Sequence, residues 1–269
     1  MAPRVSLIAT CMGRLAHLRR ALPTWTGQPD AEVVLVDWSC PDGSGDWVAD
    51  AHPEARVVRV PGQPFFHHSA AKNAGAAAAR APWLAFVDAD VLLAPDFGER
   101  VFPGLVEPAF WVAERGPKEL TGTVLCPREA FEAVGGYDEA MVGWGSEDVD
   151  FFRRLAARGL PKRTFPADLL TGLPHGDELR VAHTPLKDKD AGWLVNMLYL
   201  EAKRALLERQ GGELALPVRR SLHAEAQRAV LDSLRGGGDA VLELSTGWRT
   251  LSGPAQVEEK LVFTLRLPR

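Results

Sequence analysis

The sequence is poor in cysteine, contains no long apolar run and carries little net charge. Its three cysteines, Cys11, Cys40 and Cys126, are not spaced as a metal-binding set. We interpret them as small buried apolar residues and expect a reducing, cytoplasmic setting. No stretch reaches the roughly 20 apolar residues of a membrane-spanning helix. The chain starts without the apolar core of a signal peptide, so we expect at most peripheral contact with a membrane.

The charge balance argues against a nucleic-acid partner, because the formal net charge is −4. Residues 1–185 carry 18 basic and 24 acidic side chains, which suits a cation site better than a polyanion surface. The sequence also lacks HExxH, P-loop, GxSxG and dinucleotide-binding motifs. The chain has 269 residues, of which 46% are hydrophobic and 25% charged. This length and composition are typical of a globular protein with a sizeable core.

Four short apolar runs alternate with helical segments in the first hundred residues. These runs are Val5–Ala9, Val33–Val36, Val57–Val60 and Trp83–Val87. Such alternation predicts βαβ units and a parallel sheet covered on both faces. Ligands of these sheets bind beyond the carboxyl ends of the strands. Several polar residues follow the predicted strands at such ends: Thr10, Arg14, Asp37, His67, His68, Asp88 and Asp90.

The second half of the chain predicts further strands and helices. β-like runs occur at "FWVAE" and "GTVLC", and a long amphipathic helix is predicted over Trp193–Arg209. We predict a catalytic domain over residues 1–210, with a nucleotide-binding half at 1–100 and an acceptor half at 101–210. Residues 211–269 then form a small α+β extension, with a helix near Ala224–Leu234 and two strands, "AVLEL" and "KLVFTLRL".

The sequence Asp88-Ala89-Asp90 closes the fourth predicted strand. Two carboxylates one residue apart repel each other unless a cation or a solvated loop relieves them. A divalent metal shared with phosphates is one such cation. His183 is a possible further ligand, since Mn²⁺ accepts imidazole beside carboxylates whereas Mg²⁺ prefers oxygen. A lone histidine is more often structural, and His67 and His68 could instead contact phosphate.

The segment "GWGSEDVDFFRRL", from Gly143 to Leu155, places three acids between a Gly-Trp-Gly turn and a predicted helix. Acids in a first helical turn favour the helix dipole and can cap the helix. Capping does not account for Trp144, whose indole face is left open by the glycines on either side. On this segment alone, helix capping and a functional site are both open.

Several motifs, taken together and in order, resemble those of inverting glycosyltransferases with the GT-A fold, which has a mainly parallel central sheet flanked by helices. The resemblance covers about residues 4–190. The first motifs resemble the family-two group, and the Gly-Trp-Gly-x-Glu-Asp block with its downstream histidine resembles the β-1,4-galactosyltransferase and polypeptide N-acetylgalactosaminyltransferase branch. They are "VSLIATCMGR", "VVLVDWSCPDGS", "AAKNAGAAAARAPWLAFVDADV", "REAFEAVGGYDEAMVGWGSEDVDFFRRLAARG" and "VAHTPLKDKD".

The resemblance implies a role for each matching residue on the donor side. Trp38 stands where the family often has a second aspartate, which departs from its pattern of base recognition. Asp90 and His183 would ligate Mn²⁺ (or Mg²⁺), and Asp88 would face the ribose or the sugar. Other residues would lie around the nucleotide: Thr10, Arg14 and Asp37 near the uridine, with His68, Lys72 and Asn73.

On the acceptor side, the resemblance implies that Trp144 and Gly145 bind the acceptor and that Glu147 fixes its hydroxyls. Asp148 would be the general base. A carboxylate at a helix start can take the proton of an attacking hydroxyl, and a neighbouring indole can stack on the acceptor sugar. The metal would neutralise the leaving diphosphate.

The expected function is transfer of galactose, N-acetylgalactosamine or glucose from a UDP-sugar to a glycan, a lipid-linked sugar, a peptide or a small molecule. One alternative is a nucleotidyltransferase, although "TCMGRL" is a poor version of the glycine-rich phosphate loop of that class. Another is a non-catalytic binder of nucleotide sugars, although every expected catalytic residue type is present.

Overall fold

The structure is a computed structural model that describes residues 2–105, 109–114, 120, 122–250 and 256–266, without the side chains of residues 248–250. The contacts group the chain into two compact units. The first unit comprises residues 1–138 and 147–185, and the second comprises residues 139–146 and 186–269. The sequence-based division at residue 210 stays a prediction.

The first unit alternates strands and helices from its start, as the apolar runs predict. Its strands are β1 (Val5–Cys11), β2 (Ala31–Asp37), β3 (Arg56–Arg59), β4 (Trp83–Phe86), β5 (Val91–Leu93), β6 (Phe110–Ala113), β7 (Val124–Pro127), β8 (Lys162–Phe165) and β9 (Leu170–Gly172). Its helices are α1 (Leu15–Thr26), α2 (Ser44–Ala51), α3 (His68–Ala78), α4 (Phe97–Val101), α5 (Arg128–Ala133), α6 (Glu147–Ala157) and α7 (Asp177–Val181).

Within the described residues, the central sheet has the strand order β3-β2-β1-β4-β7-β6-β8. Strands β3, β2, β1 and β4 are parallel, and β7 runs antiparallel to both β4 and β6. The register pairs Cys11 at the end of β1 with Asp37 at the end of β2. The predicted α/β class, with a mainly parallel sheet flanked by helices, is confirmed.

Alternating side chains of β1 serve two cores, one on each face of the sheet. Leu7 packs in the cluster that contains Leu18 and Trp25 of α1. Ile8 packs in the opposite cluster, which contains Phe86 and Phe151. Helices therefore cover both faces, which explains why the parallel strands are almost continuously apolar.

A small second sheet follows the Asp88-Ala89-Asp90 sequence. Strands β5 and β9 are antiparallel, and the N–H of Leu173 donates to the carbonyl of Asp90 over 2.7 Å. The pairing brings the segment that carries His175 back beside Asp90. The apolar patterns did not predict this sheet, because each of its strands has only three residues.

The second unit contains two long helices and a hairpin. Helix α8 (Lys189–Gln210) and helix α9 (Leu216–Gly236) both exceed the predicted helices, and β10 (Ala240–Thr250) pairs antiparallel with β11 (Gln256–Leu265). Met141, from the short segment 139–146, is buried in the core that these elements share. The Gly-Trp-Gly turn therefore belongs to the unit built by the end of the chain. None of the described helices is long and apolar enough to span a membrane.

Candidate functional site

Arg14, Asp88 and Asp90 come together at the carboxyl edge of the sheet. Asp88 and Asp90 follow β4, and Arg14 follows β1, the neighbour of β4. Burial lowers the pKa of Arg14, and the charges of Asp90 and then Asp88 oppose that shift. A Cβ built on Gly122 would lie 2.7 Å from Oδ2 of Asp88, so a residue with a side chain there would displace the carboxylate.

A buried ion pair joins α3 to the start of α6. Nζ of Lys72 lies 3.1 Å from Oε1 of Glu147, and the two side chains are only 6% and 14% exposed. Burial opposes the charge of Lys72, but the acidic groups around it, with Glu147 contributing most, together outweigh burial and raise the Lys72 pKa. Burial on its own would raise the pKa of Glu147, but Lys72, together with His68 and hydrogen bonds to the carboxylate, lowers that pKa to about 2. Both groups are therefore charged at neutral pH.

Asp148, the next residue, has the opposite electrostatic balance. Burial, followed by repulsion from Glu147, raises the pKa of Asp148 to about 6, although Lys72 opposes the shift. Its Oδ1 accepts a hydrogen bond of 2.8 Å from the N–H of Val149. A carboxyl with such a pKa is ionised at neutral pH yet basic enough to take a proton.

Two buried nitrogens near these acids have no hydrogen-bond partner among the described residues. They are Nη1 of Arg14 and Nε2 of His68. Burial lowers the pKa of His68 to about 4, so this imidazole is neutral at physiological pH. Because buried polar groups are normally paired, these two nitrogens fit a site that receives a polar ligand.

His183 packs against the turn after β1. A Cβ built on Gly13 would lie 2.1 Å from Nε2 of His183, and Gly13 has φ +70°, a conformation that also favours glycine. The N–H of Phe66 donates to the carbonyl of His183 over 2.6 Å. The ring of Phe66 in turn contacts the ring of His68. The backbone of Gly13 thus places His183 next to Arg14, whose charge interacts with Asp90.

His175 contacts Asp90 directly, although the sequence motifs did not predict it. Its Nε2 lies 2.5 Å from Oδ2 of Asp90, and its side chain is almost fully buried. The only signal in the sequence was a second histidine in "LPHGDELRVAH".

The described residues contain no group of three or more His, Cys, Asp or Glu side chains arranged to hold a metal. A carboxylate with one imidazole nevertheless fits Mn²⁺ when the diphosphate of a donor supplies the remaining oxygens. The residues at Asp90 therefore fit a metal that is shared with a bound nucleotide.

Two of the expected nucleotide-side residues make hydrogen bonds to the backbone of the chain. Oδ1 of Asp37 accepts from the N–H of Cys40 over 2.7 Å. The amide of Asn73 accepts from the N–H of Tyr137 over 2.8 Å and donates to its carbonyl over 3.0 Å. Both side chains shape the edge of the sheet, and their contact with a nucleotide stays a prediction. Thr10 lies at the same edge, in register with Val36.

The Gly-Trp-Gly turn has an unusual backbone. Gly143 and Gly145 both have φ +96°, and Ser146 has φ +69°. Nζ of Lys189 lies 5.4 Å from the ring centre of Trp144, which is a cation–π distance. Trp193, 44% exposed, lies against Gly145. Trp144 and Gly145 belong to the second unit, whereas Glu147 and Asp148 begin α6 of the first unit.

The third acid of the segment, Asp150, has a structural role. Its Oδ2 accepts from Nε of Arg154 over 2.8 Å. Arg154 in turn donates to the carbonyls of Val134 and Gly136. The pair fastens α6 to the turn that ends α5.

Most of the predicted catalytic and donor-side residues thus lie in one electrostatically connected group within the first unit. We call this group the charged cluster: Arg14, His68, Lys72, Asp88, Asp90, Glu147 and Asp148. The two acidic sequences, 88–90 and 147–148, are 57 residues or more apart in the chain, and the fold brings them together around Lys72. His183 and His175 flank the cluster through Gly13 and Asp90.

Two family models match the chain. Residues 6–116 match the model described as glycosyl transferase family 2. Residues 105–175 match the model described as the N-terminal domain of galactosyltransferase.

Curated relatives give the same class. Two validoxylamine A glucosyltransferases, from Streptomyces hygroscopicus subsp. jinggangensis (strain 5008) and subsp. limoneus, are each 27% identical over 222 aligned residues. The alignments cover 59% of this chain and 53% and 49% of those proteins. The chain therefore spans about half the length of the curated relatives it matches.

Solved structures share the fold. The mannosyltransferase PcManGT from Pyrobaculum calidifontis, in complex with GDP-Man and Mn²⁺, has a TM-score of 0.55 and 19% identity, covering 88% of this chain and 76% of that one. The S. aureus TarS 1-349 structure in complex with UDP has a TM-score of 0.55 and 12% identity, covering 93% and 95%.

The fold is that of solved glycosyltransferases with the GT-A fold. By sequence, residues 6–116 are family-two-like and residues 105–175 are galactosyltransferase-like.

Proposed function

We propose that the protein is a metal-dependent inverting glycosyltransferase that moves a hexose from a UDP-sugar to an acceptor hydroxyl. The observation that carries the proposal is that Asp148 and the Asp88-Ala89-Asp90 sequence lie in one charged cluster. Such a site combines a base with a cation-binding carboxylate, the two groups that an inverting transfer needs at opposite ends of the sugar.

The chain's own residues account for the chemical steps. Asp148 takes the proton of the attacking hydroxyl, since its raised pKa lets it accept a proton at neutral pH. Glu147, kept ionised by Lys72, accepts hydrogen bonds from the acceptor's hydroxyls. Trp144 supplies the aromatic surface for the acceptor ring. A bound Mn²⁺ would stabilise the charge that develops on the leaving diphosphate.

The donor side of the proposal rests on Asp90, the histidines and the unpaired nitrogens. Asp90 and His183 would hold the metal, with His175 orienting the Asp90 carboxylate. Arg14 and His68 carry buried nitrogens that can bind polar groups of the nucleotide. The solved relatives with GDP-Man and Mn²⁺ or with UDP support a nucleotide-sugar donor and a metal.

A donor screen tests the function. Purified protein is incubated with a library of acceptors and one donor: UDP-glucose, UDP-galactose, UDP-N-acetylgalactosamine or GDP-mannose. Each reaction is run with and without Mn²⁺, and the released nucleoside diphosphate is measured. We expect Mn²⁺-dependent release of UDP from one donor. Release of pyrophosphate instead would indicate a nucleotidyltransferase. Donor binding without hydrolysis or transfer to any acceptor would indicate a non-catalytic binder.

The metal site makes a prediction of its own. We expect Asp90→Asn and His183→Ala to abolish the increase in UDP affinity that Mn²⁺ produces. His175→Ala should weaken Mn²⁺-dependent binding by about 10- to 100-fold, the usual effect of losing a partner that orients a ligand. Isothermal titration with UDP, with and without Mn²⁺, measures all three variants. His52→Ala, which removes a histidine on another loop, is the control. If Mn²⁺ raises UDP affinity equally in wild type and Asp90→Asn, the assignment is wrong.

The raised pKa of Asp148 predicts a dependence of activity on pH. The base is active when ionised, so kcat/KM should be constant at neutral pH and fall as pH decreases through about 6. Burial also raises the pKa of Asp88 to about 6. The pH profile of kcat/KM therefore reflects the joint titration of Asp88 and Asp148. Initial rates over about pH 5 to 8 measure this, and a profile that stays flat at the acidic end would contradict the role of Asp148.

A further inference from the structure

The backbone of the Gly-Trp-Gly turn contacts the buried side-chain amide of Asn196. Asn196, in α8, is only 1% exposed. Its Nδ2 donates to the carbonyl of Gly145 over 2.7 Å and lies 3.4 Å from the carbonyl of Trp144. One side chain therefore contacts the two successive carbonyls on either side of Gly145.

A histidine from the next helix holds this amide. His223, in α9, is 5% exposed, and its Nε2 lies 2.8 Å from Oδ1 of Asn196. Because Nδ2 of Asn196 faces two carbonyls, its Oδ1 must be the atom that faces the imidazole. The same Nε2 lies 3.4 Å from the backbone nitrogen of Val142, so the imidazole contacts both the amide of Asn196 and the segment just before the turn. The ring also contacts that of Tyr199, which lies in the core of the second unit.

The turn needs such support because its backbone is strained. Ser146 is a non-glycine residue with φ +69°, and it follows two glycines that also have positive φ. A residue in a sparsely populated region costs about 1–3 kcal/mol and persists only where its surroundings fix it. A buried amide and imidazole are also costly unless they are hydrogen-bonded. Asn196 contacts the turn that carries Trp144, and His223 contacts Asn196.

We propose that Asn196 and His223 are positioning residues that fix the Gly-Trp-Gly turn and so set the angle of Trp144 toward the acceptor. This inference rests on the proposed role of Trp144. It gives helix α9, in the part of the chain that the motifs leave unassigned, an indirect role in acceptor binding through Asn196 and the turn.

The first test needs no activity. Asn196→Asp keeps the shape of the side chain but replaces the donor by an oxygen that repels both carbonyls, and His223→Leu removes the imidazole. Hydrogen exchange at the amides of residues 142–146 should become faster in both variants. His223→Gln can place an amide N–H where Nε2 of the imidazole lies in the wild-type protein. Exchange in this variant should therefore be slow, as in wild type. Unchanged exchange in Asn196→Asp would overturn the proposal.

The second test separates positioning from stability. We expect kcat/KM for the acceptor to fall by up to about a hundredfold, the effect of a small misplacement of a reactant. The KM for the donor and the rate of donor hydrolysis by water should not change, and His223→Gln should recover most of the acceptor effect. An unaltered acceptor kcat/KM despite faster exchange would overturn the inference.

Ser233→Ala is the matched control. Ser233 is also buried in α9, and its hydroxyl donates to the carbonyl of Gly238 over 2.6 Å. This variant should lower Tm but leave exchange at residues 142–146 and acceptor kinetics unchanged. If wild-type protein transfers no sugar at all, the proposed function fails, while the exchange experiment still decides whether the pair holds the turn.

Discussion

Asp148→Asn should reduce sugar transfer by about 10²- to 10⁴-fold, because asparagine has the same shape but cannot accept a proton. Donor binding should persist, since Asp148 has no role in holding the nucleotide. The fold should not be weakened. The pKa of Asp148 is raised in the folded state, so ionised Asp148 destabilises the protein at neutral pH and its neutral replacement removes that penalty. Steady-state kinetics, UDP titration and Tm measure the three effects.

Asp150→Asn is the matched control, since it makes the same change two residues further along the same helix. Asp150 is buried and paired with Arg154, so this variant should lower Tm. Turnover should stay close to that of wild type because Asp150 lies outside the charged cluster. If Asp148→Asn retained wild-type turnover, another group would have to be the base.

Lys72→Met should destabilise the fold by about 3–5 kcal/mol at neutral pH, the usual cost of leaving a buried charge without its partner. Lys72 and Glu147 are both largely buried. Lys72, together with His68 and hydrogen bonds, lowers the pKa of Glu147 to about 2 against the opposing effect of burial. That lowered pKa stabilises the fold above the ordinary glutamate pKa, and the stabilisation is lost as pH falls toward 2. The variant should therefore differ least from wild type in acid. Denaturant unfolding at several pH values measures this.

The double variant Lys72→Met, Glu147→Gln is the control for that experiment. It removes both charges, so much of the lost stability should return, although transfer should stay impaired because Glu147 is proposed to bind the acceptor. A Lys72→Met protein as stable as wild type at neutral pH would show that the pair is not buried in solution.

The sequence predicted the first half of the fold well, because the apolar runs are short and regular. The run Trp83–Val87 matches β4, and the predicted sheet edge is where Arg14, Asp88 and Asp90 meet. The strands β5 and β9 and the short helix α7 were missed, because three to five residues carry no periodicity.

The site was predictable only where its residues are adjacent in the chain or form motifs. Glu147 and Asp148 stood out beside Trp144. His175 did not, because its contact with Asp90 spans 85 residues and depends on the small β5–β9 sheet. Asn196 and His223 lie on helices with no motif, and only the packing of α8 on α9 shows that they meet.

The course of the backbone has a practical consequence. Because residues 139–146 belong with 186–269, the polypeptide passes from one compact unit to the other after residues 138, 146 and 185. A single cleavage after residue 185 keeps all residues of the first unit together but divides the second. A protein truncated there would keep Met141 but lose the helices that bury it. Helices α8 and α9, which are made later, must therefore be present before the turn that precedes the acidic segment at 147 has its buried partners.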